Sequence, residues 1–253
     1  MSDPVDTARA LGHSTVVTGI RMPFCVMNAA GTATTANDVR ALRTSQTGAI
    51  VLMTATVHPF VHPAFRDMQN PGFDKLLPLV RELAEGDQPV VASIAGATPE
   101  EIGFLAKAFA DAGASAIEVT FADRWVEATL APLDDPATLH DVARRLAACG
   151  RPTWVKLPER VPMPYRGLVA ALVDAGVRGV VASHEFQGYE KLMLEAPAPI
   201  DVIVGGGLTS GFDVTRAIQK GAKAVQVGAP FRTEGVAIFA RLEREMTRVD
   251  ESN

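Results

Sequence analysis

Cysteine is almost missing. Cys25 and Cys149 are the whole complement of a 253-residue chain, and neither belongs to a CxxC or a metal-spaced group. They assemble no cysteine-built metal centre, and a reducing, cytoplasmic compartment is expected. Long hydrophobic runs are missing too: no stretch of about 18 apolar residues is there to span a bilayer, so no membrane partner is expected. Nor is there a basic excess. Lys and Arg number 24 against 29 Asp and Glu, a formal net charge of -5, which argues against nucleic acid as a partner. The first ten residues hold Asp3 and Asp6 and no basic region followed by an apolar run, so no signal peptide is read there. Without a linker, a low-complexity stretch or a block of like charge, residues 1–253 read as a single domain.

What is there is an alternation. Short apolar runs at Phe24–Asn28, Ala49–Thr54, Val90–Ile94, Ala116–Phe121, Thr153–Leu157, Gly179–Ser183, Asp201–Val204 and Ala224–Val227 read as strands buried on both faces. Between them lie helical patterns. Thr98-Pro99-Glu100-Glu101 opens one with an N-cap, a first-position proline and two first-turn acids. Glycines after Asp111-Ala112, Asp174-Ala175 and Lys220 are suited to close that helix and two others. Eight such units in this length predict a (β/α)8 barrel over an open doubly wound sheet. Residues 1–23 read as a lead-in to the barrel bottom, with Val16–Thr18 and Ile20–Met22 as a hairpin about Gly19.

The seventh and eighth strands carry the most specific signal. Val202-Ile203-Val204 runs into Gly205-Gly206-Gly207-Leu208-Thr209-Ser210-Gly211, and Val225-Gln226-Val227 runs into Gly228-Ala229. Glycine lets main-chain N–H groups approach an anion, and barrels often hold phosphate in these two loops. A short helix capping them is expected from about Thr233–Glu234. Lys156 stands alone in the apolar strand Trp154-Val155-Lys156-Leu157, where an unpaired ammonium is costly to bury. It either meets an electron-rich ligand, reaches water, or pairs with a carboxylate such as Glu118.

These stretches resemble the dihydroorotate dehydrogenase family. The run from Val202 to Ala229 is similar to its flavin-phosphate signature, with Leu208 a departure. Asn28-Ala29-Ala30-Gly31, Gly48-Ala49, Ser93-Ile94-Ala95-Gly96 and Trp154-Val155-Lys156-Leu157-Pro158 resemble further family segments in the same order, and the likeness spans roughly residues 20–245. The resemblance implies FMN as cofactor. It implies contacts from Ala29, Ala30, Gly31, Thr54, Lys156, Gly206, Gly207, Gly228 and Ala229, with Lys156 on the N1/O2 edge of the flavin ring. A homo-oligomer or a partner subunit is also expected, with Leu192-Met193-Leu194 as surface for it.

The likeness fails where the family holds its pyrimidine. Thr120 and Trp125 stand at its two asparagine positions, Asp123 at its base, Met53 at a lysine, and Ala182-Ser183 at an Asn–Ser/Thr pair. A pyrimidine dione left without those amides loses on the order of 1–3 kcal/mol per unpaired edge. Dihydroorotate is therefore not the expected substrate; a small, non-pyrimidine metabolite is. The rewritten face offers His184 and Asp123 as candidate proton-transfer residues. His58, His62, Arg66, Arg124, Trp125 and Glu185 are candidates for substrate binding. His58 and His62 are four apart, but the prolines beside them disfavour a helix, and no metal is expected. An FMN-dependent oxidoreductase is the reading these features support. A flavin-free lyase or isomerase holding a phosphorylated substrate, or a non-catalytic subunit, are the alternatives.

Overall fold

The apolar runs form strands because each is too short for a helix and rich in β-branched residues. The computed structural model describes residues 13–61, 69–121, 135–157, 165–183 and 200–251. In chain order the strands are β1 Thr15–Val17, β2 Ile20–Met22, β3 Val26–Asn28, β4 Ile50–Val51, β5 Phe60–Val61, β6 Gln69–Asn70, β7 Val90–Ile94, β8 Ala116–Thr120, β9 Thr153–Lys156, β10 Gly179–Ser183, β11 Asp201–Gly205 and β12 Ala224–Val227. The helices are α1 Ala36–Arg43, α2 Phe73–Ala84, α3 Pro99–Asp111, α4 Pro136–Ala147, α5 Tyr165–Asp174, α6 Gly211–Gln219, α7 Ala229–Glu234 and α8 Ala237–Glu251.

Eight strands pair in parallel in the order β3-β12-β11-β10-β9-β8-β7-β4, the expected (β/α)8 barrel. Its seam, between β3 and β4, is closed in an unusual way. Gly48 N–H donates to Val26 O at 2.8 Å, and the buried side chain of Asn28 then takes over the ladder. Its Nδ2 donates to Val51 O at 2.8 Å and its Oδ1 accepts from Val51 N–H at 2.9 Å. One amide side chain thus pairs both main-chain groups of Val51, as a strand residue would. The approach is so close that a Cβ on Gly48 would lie 1.8 Å from Phe24 O.

Strand alternation divides the core in two. Inside the barrel lie Met27, Val51, Val91, Ala116, Trp154, Val181, Ile203 and Ala224. Val17 and Met22, from the β1–β2 hairpin, join this cluster and close its lower end. The hairpin is held there by the Trp154 indole, which donates to Thr18 Oγ1 at 2.8 Å, and by Thr18 N–H, which donates to Asp201 Oδ2 at 2.6 Å. The outward residues Ile117, Val119, Val155, Val202 and Val225 meet Ile102, Phe109, Leu146, Val214 and Phe239 of the helices. Truncating one of these, for example Phe109→Ala, costs about 3–5 kcal/mol.

Two expectations need correcting. The short helix after β12 begins at Ala229, not at Thr233–Glu234. Pro230 sits in its first turn, where a fixed φ favours helix entry. The second concerns the strand Ala49–Thr54, of which only Ile50–Val51 is strand; beyond it Phe60 and Val61 pair antiparallel with Asn70 and Gln69. Gly113, Gly176 and Gly221 all take positive φ at the expected helix ends. Among the described residues no helix is long and apolar enough to cross a membrane.

Candidate active site

The C-terminal ends of the strands form one rim, and two different constructions meet there. Over β3, β11 and β12 the rim is main chain. Gly206 and Gly207 follow β11 with φ of 79° and 67°, two consecutive left-handed residues that side chains would strain. The N–H groups of Gly207 and Gly228 donate to no described residue. Among the described residues a Cβ on Gly228 would find only Ala29 Cβ, at 3.9 Å. Ala29 N–H donates to Val227 O at 2.9 Å, which draws the turn Ala29–Gly31 against Gly228. Asn28 Nδ2 and Thr32 Oγ1 both bond Ala29 O, at 3.3 and 2.6 Å, and Arg232 donates to Gly31 O at 3.0 Å.

The glycine loop is held from outside by helix caps and an ion-pair group. Asp213 Oδ2 accepts from Thr209 N–H, Ser210 N–H and Ser210 Oγ at 3.0, 2.9 and 2.8 Å. Burial alone would raise the Asp213 carboxyl, but these donors outweigh it and hold it below the usual carboxylate range. From α8, Arg241 donates to Thr209 O at 3.0 Å and Glu245 accepts Gly211 N–H at 2.7 Å. Arg241 is itself bound by Glu234 and Glu245, which raise its already high pKa.

Over β4, β7, β8 and β9 the rim is made of side chains. Thr54 Oγ1 lies 3.0 Å from Ser93 Oγ, which lies 3.3 Å from Thr120 Oγ1. All three hydroxyls are buried. Asn70 supports the first of them, donating to Thr54 O at 2.9 Å and Thr56 Oγ1 at 2.8 Å. Thr120 is the register partner of Lys156. Lys156 is half-buried, and its ammonium makes no hydrogen bond or ion pair with a described residue. The pairing with Glu118 is not made: Glu118 Oε2 instead accepts from Gln226 Nε2 at 2.5 Å.

The structure therefore brings Ala29, Ala30, Gly31, Gly206, Gly207, Gly228 and Ala229 to one stretch of rim. Lys156 stands two strands further along, opposite Thr120, to which Thr54 is joined through Ser93. His58 is exposed after β4, and Thr56 Oγ1 donates to its carbonyl at 2.6 Å. Met53 packs on the outer core and lines a cavity of about 460 Å³ between α1 and α2. A second cavity, of about 670 Å³, lies beside Thr32, Arg232 and Gly235. His62, Arg66, Asp123, Arg124, Trp125, His184, Glu185 and the Leu192–Leu194 surface lie outside the described residues. Among the described residues no three His, Cys, Asp or Glu are placed to hold a metal. Burial pushes the Cys25 thiol up to about 12, so it is chemically quiet at neutral pH. Sequence reasoning missed Asn70 and the Glu118–Gln226 pair. The available signal for that pair was a polar residue at an inward position of each of two apolar strands.

A parallel (β/α)8 barrel with an anion-competent glycine rim, and a lysine unpaired among the described residues, defines the class. No protein-family model matches the chain. A Pediococcus pentosaceus protein assigned the name dihydroorotate dehydrogenase A (fumarate) is 28% identical over 269 aligned residues, covering 85% of this chain and 87% of its own. The catalytic subunit of dihydroorotate dehydrogenase B (NAD(+)) from Pyrococcus abyssi is 25% identical over 212 residues, covering 72% and 70%. The structure of dihydroorotate dehydrogenase from Eimeria tenella in complex with ferulenol superposes with a TM-score of 0.80 at 14% identity, over 95% of this chain and 85% of that one. That last likeness is one of fold. The chain is a divergent dihydroorotate dehydrogenase-like protein.

Proposed function

We propose that this protein is an FMN-dependent oxidoreductase acting on a small metabolite that is not a pyrimidine. The observation that carries the reading is one rim holding two consecutive left-handed glycines, a Gly228 with room for a Cβ, and a lysine without a partner among the described residues. A phosphate needs unused N–H groups at close approach, and Gly207 and Gly228 supply them. An electron-rich ring edge needs a fixed positive charge, and the Lys156 ammonium is available for it. When bound, FMN supplies the acceptor for a hydride. The chain's own part is to hold the phosphate at the glycines, to present Lys156, and to take a proton from substrate carbon. Of the two candidates for that proton, His184 is favoured over Asp123, because an imidazole titrates near pH 6.5 without tuning whereas a carboxylate needs burial. The pyrimidine-binding amides are replaced by Thr120, Trp125 and Ala182-Ser183, which is why another metabolite is proposed. Assembly as a homo-oligomer or with a partner subunit is part of the same proposal, and light scattering at micromolar concentration checks the first.

Purified protein should be yellow, with a flavin absorbance band. A colourless protein that FMN does not colour would move the reading to a lyase or isomerase using the glycines for its substrate's phosphate. Anaerobic mixing with dihydroorotate should leave the flavin oxidised, and rapid bleaching would return dihydroorotate as substrate.

A further inference from the structure

One buried pair in the barrel interior is not used by the reading above. Glu118 of β8 and Gln226 of β12 are both fully buried. In the sheet order β8 and β12 are four strands apart, so in an eight-stranded barrel they face one another across the axis. Their hydrogen bond, Gln226 Nε2 to Glu118 Oε2, spans the barrel. It leaves Glu118 Oε1 and Gln226 Oε1 buried without a donor. Unpaired buried acceptors are costly, a buried carboxylate oxygen most of all.

Lys156 is the cation that the register puts next to this carboxylate. On β8 and β9, Glu118 is opposite Trp154 and Thr120 is opposite Lys156. Trp154 belongs to the interior cluster, and Lys156, two residues on, shares its face. A lysine side chain reaches a neighbour one rung below on the adjacent strand. A carboxylate oxygen without a donor and an ammonium without an acceptor are thus one rung apart and do not meet.

We propose that Gln226 is a positioning residue: by tethering Glu118 to the opposite wall it keeps the carboxylate from capturing Lys156, and so leaves the ammonium for the ligand at the rim. The inference rests on the reading that Lys156 meets that ligand. Gln226 is also tied to the glycine rim, since Gly206 N–H approaches its carbonyl at 3.4 Å.

The test uses Gln226→Met, which removes the amide but keeps an unbranched side chain of similar volume, and the double variant Glu118→Gln/Gln226→Met. With the tether gone, Glu118 closes on Lys156 and FMN binding should weaken about tenfold. The double variant has no carboxylate to close and should bind FMN as the wild type does. Unchanged binding in Gln226→Met, or no recovery in the double variant at an equal thermal midpoint, would overturn the tether. If the wild type takes up no FMN, the flavin reading fails separately, and acetylation of Lys156 by N-hydroxysuccinimidyl acetate decides. Scaled to exposed Lys75 and Lys107, labelling should fall in Gln226→Met and return in the double variant. Equal labelling in all three proteins would sink the proposal.

Discussion

The two halves of the barrel rim are built from different materials. Over β3, β11 and β12 the groups facing the mouth are main-chain atoms of Ala29–Gly31, Gly206, Gly207 and Gly228. Over β4, β7, β8 and β9 they are the side chains of Thr54, Ser93, Thr120 and Lys156. Main-chain donors have the same chemistry in any sequence, so a glycine-built half suits a constant, anionic fragment of a ligand. Side chains are replaced one at a time, so the other half can change what it accepts without disturbing the first. Thr120, Met53 and Ala182-Ser183, positions on which the expectation of a non-pyrimidine substrate rests, fall outside the glycine rim.

The sharpest way to break this comparison is to block the main-chain half without straining it. Gly207→Val would not do so cleanly, because a side chain at φ 67° adds about 1–2 kcal/mol of backbone strain. Gly228 has φ of -107°, and the nearest atom to an added Cβ is Ala29 Cβ at 3.9 Å. The thermal midpoint of Gly228→Val then separates any cost to folding from an effect on the ligand. The variant should lose at least about a hundredfold in FMN affinity, since its side chain fills the ligand's space. Full flavin content in that variant would show that phosphate is held elsewhere.

Asn28 blurs the division and so sharpens it, because here one side chain supports the main-chain half. Asn28→Ala would leave Val51 N–H and C=O unpaired at the β3–β4 seam and remove one of the bonds to Ala29 O. Each orphaned group costs about 1–3 kcal/mol, so a loss of about 2–5 kcal/mol is expected. Urea denaturation should show a lowered midpoint at unchanged slope. A loss below about 1 kcal/mol would mean that water replaces the amide and that the seam is not closed by Asn28.

Much of this was legible because it is local. Apolar runs such as Val90–Ile94 and Gly179–Ser183 state their own conformation, and Thr98 and Gly113 mark helix ends by chemistry that acts within a turn. The glycines of the rim are legible for the same reason: their φ values are a property of single residues. Pairings across the barrel are not. Nothing near Glu118 in the chain names Gln226 as its partner, because that follows from which strand lies opposite after closure. The two-residue strands Phe60–Val61 and Gln69–Asn70 are too short to carry a period. Lys156 was singled out by its solitude in an apolar strand, and the structure adds that Glu118 does not pair with it.

The smallest expected effect concerns what holds the glycine loop in place, and it separates charge from shape. Asp213 accepts four bonds with one oxygen, from the N–H and hydroxyl groups of Thr209 and Ser210. Asn in its place keeps an acceptor but loses the charge, and the cap should weaken by about 0.5–1 kcal/mol at pH 7. The sign of the pH dependence follows from the depressed carboxyl. A group whose folded pKa lies below its unfolded value, about 3.9 for Asp, contributes stability that is complete above that value and is lost as pH falls through the folded pKa. The stability gap between wild type and Asp213→Asn should therefore be flat from about pH 8 to pH 5 and close below about pH 4. Taking the difference removes the other acids held low by partners, among them Glu82, Asp141 and Glu245, which titrate alike in both proteins. Denaturant titrations at a series of pH values give the gap directly. A gap as large at pH 3 as at pH 7 would show that Asp213 holds the loop by shape alone and not by its charge.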